Sequence, residues 1–158
     1  MKIDLDRRVG KNFSFRELTH TNHRSFQAEN WQHGWGLRAT ADAWARTIGD
    51  PIREHFGRPF ITHSGFRCLR LNTAVKGSKT SQHMLFQGHD GHVDGVSLQD
   101  LFDYIRNSEL PFGQVIMEGW VEGEPGWIHT SLGEPFRPIE KCRQAKTSFD
   151  GGITFHNV

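Results

Sequence analysis

Between Leu37 and Phe56 the apolar residues Leu37, Ala41, Trp44, Ala45, Ile48, Ile52 and Phe56 recur at helical spacing. A helix with one such stripe must bury it against another layer. Gly57 is placed to close the helix, and Pro51 is expected to kink it. The covering layer follows in the chain. Pro59 to His63 reads as a strand, Ser64 to Arg67 as a turn, and Leu69, Leu71 and Val75 as a short helical piece. After a polar loop over Lys76 to Ser81, the stretch Gly88 to Val96 reads as an extended strand with Asp90, His92 and Asp94 on one side. A helix opens at Ser97, with Leu98, Leu101, Phe102 and Ile105 as its stripe. Two strands, Gln114 to Trp120 and Trp127 to Ser131, then flank the turn-rich Glu122-Gly123-Glu124-Pro125. This order gives an α+β fold, a small antiparallel sheet with helices packed around it.

The amino-terminal half adds less. Residues 1–12 read as a polar arm, Ser14-Phe15-Arg16-Glu17 as a capping box opening a short helix, and Thr21 to Gly36 as an irregular loop. Residues 133–158 read as a carboxy-terminal extension. With 158 residues and 35% hydrophobic composition, a single domain, residues 1–158, is expected, because a chain of this size buries roughly 70% of its unfolded surface. A monomer is the default expectation. The net charge of +1 supplies no basic field for a phosphate backbone, so nucleic acid is not an expected partner. No stretch approaches the roughly 20 apolar residues of a membrane span, and Met1 to Asp6 lacks a signal-peptide core. Cytoplasmic synthesis without a leader is therefore expected. Cys68 and Cys142 stand in no metal-type spacing.

Ten histidines make a metal site conceivable, but the count alone proves nothing. Zinc needs three or four N, S or O donors converging from different elements. His83 after the polar loop, Asp90 on the next strand and His129 on the last strand form such a two-histidine, one-carboxylate set. If Glu122 to Pro125 is a four-residue turn, Trp120 faces Trp127 and Glu118 falls opposite His129, which sets a carboxylate beside a metal ligand. His92 shares the Asp90 face, as a ligand, a partner of a ligand or a substrate contact. His89 points the other way. His20 and His23, three residues apart, are a weaker second metal candidate.

Ser64-Gly65-Phe66-Arg67, Leu71-Asn72, Ala74-Val75, the run Gly77 to Met84 and Gly126-Trp127-Ile128-His129 together resemble the zinc D-Ala-D-Ala carboxypeptidases and L-alanyl-D-glutamate endopeptidases of the Hedgehog/DD-peptidase fold. The likeness is greatest to phage-associated single-domain members and covers roughly Phe13 to Leu132. It implies zinc held by His83, Asp90 and His129, with Arg67 stabilising charge on the scissile carbonyl and Ser81 lining the groove. It also implies a strand glutamate, Glu118, as general base. Among the aromatic residues, which otherwise read as core and groove material, Trp127 beside the ligand is the expected substrate contact. The implied activity is hydrolysis of a bond in the peptidoglycan stem peptide, at the cell wall after release or as part of a virion. Two departures lie in the zinc loop: Phe86 stands where the pattern has glycine, and Gly88 where it has alanine. Some members carry the base three residues before the last histidine, which is Gly126 here. A bulky Phe86 could shift the loop, narrow the groove or signal a changed substrate. It keeps open a rival reading, a non-catalytic metal-binding structural domain of a phage particle.

Overall fold

Six strands share one sheet in the computed structural model, which describes residues 2–123, 125–150 and 154–158. A two-stranded ribbon pairs β1 (Arg8–Val9) with β2 (Phe13–Ser14). The main sheet contains β3 (Phe60–Ser64), β4 (Gly88–Val93), β5 (Phe112–Glu118), β6 (Trp127–Leu132), β7 (Gln144–Thr147) and β8 (His156–Asn157), in the order β3-β4-β6-β5-β7-β8. The class is α+β, but the sheet is larger than expected and mixed. β7 runs parallel to β5, so the carboxy-terminal extension builds into the sheet. β4 ends at Val93, not Val96, because Gly95 adopts a φ of 68° in the turn that follows, leaving Asp94 outside the strand.

The helices are α1 (Phe15–Leu18), α2 (Gln27–Gly36), α3 (Arg38–Trp44), α4 (Asp50–Phe56), α5 (Leu69–Ala74) and α6 (Leu98–Asn107). Ser14 Oγ accepts the Glu17 N–H at 3.2 Å, and Ser97 Oγ accepts that of Asp100 at 3.0 Å, so both expected caps form. The long stripe becomes α3 and α4 joined by a π turn over Ala45–Gly49, in which the Asp50 N–H reaches back to Ala45 O. Pro51 has no N–H, and the wide turn just before it is where the ladder adjusts. The expected loop over Thr21 to Gly36 contains α2 instead. Its inner face buries Asn30, Gly34 and Trp35, a set with little apolar period to detect.

The amino-terminal arm is also tied down. Asp50 accepts the backbone N–H groups of Lys11 and Asn12, at 2.7 and 3.0 Å, and Val9 is fully buried. On the core face of the sheet, His89, Thr130 and Val115 form one row across β4, β6 and β5, and the Trp44 indole donates to Thr130 Oγ1 at 3.1 Å. On the opposite face the next row is Asp90, His129 and Ile116. Strand alternation thus sends three chemically distinct groups away from the core, towards a cleft.

Candidate metal centre

His83, Asp90 and His129 come together, each offering a ligand atom within 4.8 Å of the others. All three are at least 94% buried, with exposures of 5%, 4% and 6%. β4 and β6 supply Asp90 and His129 as a directly opposed pair, and the 3₁₀ turn Gln82–Leu85 presents His83 from the side. Asp90 Oδ1 lies 3.2 Å from His83 Nε2 and 2.8 Å from His129 Nδ1. Donors at about 2.0 Å from a tetrahedral zinc are separated by roughly 3.3 Å, so these spacings fit one.

The distal nitrogens decide what these contacts mean. His83 Nδ1 is 2.7 Å from Gly65 O, an acceptor only, so Nδ1 carries the proton and Nε2 turns a bare lone pair towards Asp90. His129 Nε2 is 2.9 Å from Gln82 Oε1, while Gln82 Nε2 donates to Ser131 Oγ at 2.9 Å. That orientation makes His129 Nε2 the donor and Nδ1 the second bare lone pair. Two imidazole lone pairs and a carboxylate oxygen face one another across 2.8–3.2 Å, which is repulsive until a cation stands between them. Burial pulls the His83 pKa down, and Asp90 only partly restores it, so a proton is a poor candidate for that cation. The donor set and its protonation fit a zinc ion.

Around this core the structure places the other expected residues unevenly. Arg67 donates through Nη2 to Asp90 Oδ2 at 2.7 Å and through Nε to Ser64 Oγ at 2.8 Å, so it clamps the carboxylate oxygen that the histidines leave free. Glu118 pairs with Trp127, not with His129, whose partner is Ile116. The hairpin loop is wider than a four-residue turn. Gly119 and Gly123 adopt φ of 70° and 87°, and the Gly126 N–H closes on Glu118 O at 2.8 Å. The slip is two residues, which preserves the face, and Glu118 still lines the cleft with the three donors. Burial pushes its carboxyl up, with His129 pulling down and Asp90 pushing up.

Ser81 and Trp127 line the same cleft of about 700 Å³, whereas His92 does not. His92 Nδ1 instead meets His63 Nε2 at 2.8 Å, and His63 is the residue that lines the cleft, at the point where β3–β4 pairing shifts. Burial, then His92, lowers the His63 pKa. His20 and His23 stand at the cleft rim and join no metal-binding trio among the described residues. Phe86 is the main correction. It is fully buried with φ 58°, packed against Phe15, Phe66 and His89, and belongs to the core behind the site. Gly88 also has a local reason: a Cβ there would stand 2.8 Å from His129 Cε1.

Three contributors were not foreseen. Gln82 fixes the His129 tautomer, Gly65 fixes that of His83 through its carbonyl, and Asn30 shapes the loop that carries Arg67. Asn30 Nδ2 donates to Thr19 O and Phe66 O, and its Oδ1 accepts the Cys68 N–H. Gln82 lies inside the Ser-Gln-His run already quoted, and that adjacency was its only signal. No helix among the described residues is long and apolar enough to cross a membrane. A model of the family described as peptidase M15 matches residues 11–131. No curated protein matches the chain.

Proposed function

Because the chain belongs to the M15 peptidase family, we propose that it is a zinc-dependent hydrolase of a peptide bond in the peptidoglycan stem peptide. The observation that carries this reading is the convergence of two imidazole lone pairs and Asp90 Oδ1, each histidine pinned through its other nitrogen. His83 Nε2, Asp90 Oδ1 and His129 Nδ1 would hold one zinc ion, which supplies the positive charge that acidifies water and polarises the scissile carbonyl. Glu118 takes the water proton on a carboxylate oxygen and passes it to the leaving amine. Its burial raises the carboxyl towards the range in which it can do both. Arg67 holds Asp90 Oδ2, which keeps Oδ1 aimed at the metal, and its charge beside the cleft favours a developing oxyanion. Trp127 and Ser81 form walls for the peptide, and His92 acts through His63.

The scissile bond is D-Ala-D-Ala or L-Ala-D-Glu, and the released fragment distinguishes them. Likeness to phage-associated members supports a lytic role, after release or within a virion. All three candidate metal ligands come from one chain, which supports a monomer as the working unit. The rival structural reading rested on Phe86, and its place in the core removes that support.

Zinc-loaded Glu118→Gln tests the reading. Release of stem-peptide fragments from purified peptidoglycan is expected to fall by about 10²–10⁴-fold with zinc content unchanged. Unchanged release in the variant, or no release by the zinc-loaded parent, contradicts it.

A further inference from the structure

The cleft wall is completed from outside the segment that matches the family. Arg137 and Phe155, both beyond residue 131, line it together with Gln114 of β5. Arg137 reaches there because Gly113 makes room: a Cβ at that position would stand 2.6 Å from Arg137 Cδ. Gly113 lies in the irregular part of β5, where pairing shifts between Phe112 and Val115. Gln114 is two residues from Ile116, the partner of His129, so this end of the cleft is about 7 Å along the strand from the metal level. Glu118 lies two residues beyond Ile116 in the other direction.

The Arg137 side chain has no acidic partner among the described residues. Its Nη1 is buried without a hydrogen bond. Burial lowers its pKa, opposed only by the Cys142 thiol. Lys146, on β7 opposite Ile116, feels the Arg137 charge, which adds to burial in lowering its own pKa. The acidic residues lining the cleft are Asp90, already shared among Arg67, His83 and His129, and Glu118 at the far end. Arg137, with an orphaned guanidinium N–H and no acidic partner among the described residues, lines one end of the cleft, and an anion would complete it, whereas Lys146 stands at the level of Ile116 over the Phe155 ring.

We propose that Arg137 is the anchor for a carboxylate of the bound peptide, a specificity determinant supplied by the carboxy-terminal extension. The proposal rests on the stem-peptide reading above, because both candidate bonds have a free carboxylate on the residue after the scissile carbonyl. Lys146 adds to the field, and Gln114, held by Gln144 through its Nε2 at 2.9 Å, forms the adjoining wall.

The test uses the zinc-loaded full chain and a stem pentapeptide with uncleavable CH₂–NH links at both candidate bonds, as the free acid and with the D-Glu α-carboxylate and the terminal D-Ala carboxylate both amidated. Titration calorimetry of the parent protein is expected to show the free acid bound more than about tenfold tighter. Arg137→Gln levels the two affinities with unchanged zinc content and thermal unfolding, and Arg137→Lys keeps part of the preference. A preference that survives Arg137→Gln, equal binding of both forms by the parent, or binding of neither overturns the proposal. Failure of the function reading shows separately, as no fragment release from peptidoglycan by a protein that still prefers the free acid.

Discussion

Gln82 touches no metal ligand atom that would bind zinc, yet its removal should weaken zinc binding. Its Oε1 accepts the His129 Nε2–H at 2.9 Å and thereby keeps the Nδ1 lone pair directed at Asp90 Oδ1, 2.8 Å away. In Gln82→Ala that constraint is gone. The imidazole can move its proton to Nδ1 and donate it to Asp90 Oδ1, turning a repulsive contact in the metal-free protein into a charge-assisted hydrogen bond. Such a bond contributes about 1.5–3 kcal/mol, and zinc must break it to bind. The expected loss of affinity is therefore about 10–100-fold, or about 1.4–2.7 kcal/mol, the range found when the outer partner of a ligating histidine is removed. Competition against a chromophoric chelator at neutral pH measures it. Gln82→Glu keeps an acceptor at the same place and should bind zinc at least as tightly as the parent. Zinc affinity in Gln82→Ala equal to that of the parent refutes the tautomer argument, because the lone pair would then be fixed by something else.

Two further outcomes follow from the core behind the site. His89 is fully buried between Trp44, at 3.7 Å, and Phe86, at 5.6 Å, with neither ring nitrogen hydrogen-bonded, and burial holds its pKa well below 6.5. Its folded pKa is depressed, so below about pH 6.5 the unfolded chain binds the extra proton and stability is lost as the pH falls. Between about pH 7.5 and 5.5 this one group removes about 1.4 kcal/mol from metal-free protein, with His83 adding to it. His89→Leu should flatten that dependence in chemical denaturation, and an unchanged pH slope contradicts it. Phe86→Ala should cost about 3–5 kcal/mol of stability while kcat/KM is retained at a temperature where the variant stays folded. Phe86→Gly recovers about 1 kcal/mol of that by relieving the left-handed backbone. A stable Phe86→Ala with altered substrate preference would instead place Phe86 in the groove.

The site was more legible in the sequence than the scaffold that orients it. His83, Asp90 and His129 stood out because their residue types are ligands and their elements could be placed. The face of Glu118 survived a wrong register because the error was an even number of residues. α2 was missed because its buried face centres on Asn30, a polar side chain whose three hydrogen bonds to distant backbone leave no apolar rhythm. β7 and β8 were missed because they are only four and two residues long, β8 is exposed, and β7 takes its place in the sheet beside β5, about thirty residues earlier. Phe86 was misjudged because a bulky residue in place of glycine reads as an obstruction when the direction of its side chain is unknown. The left-handed backbone at Phe86 turns the ring into the core.

The most direct test of the account is the metal content of natively purified protein by elemental mass spectrometry, with His83→Ala in parallel. The lone-pair geometry predicts about one zinc ion per chain, lost in the variant while its helix and strand content is kept. A parent chain that holds no metal even after reconstitution with zinc contradicts it, and with it the assignment of His83, Asp90 and His129 as a ligand set.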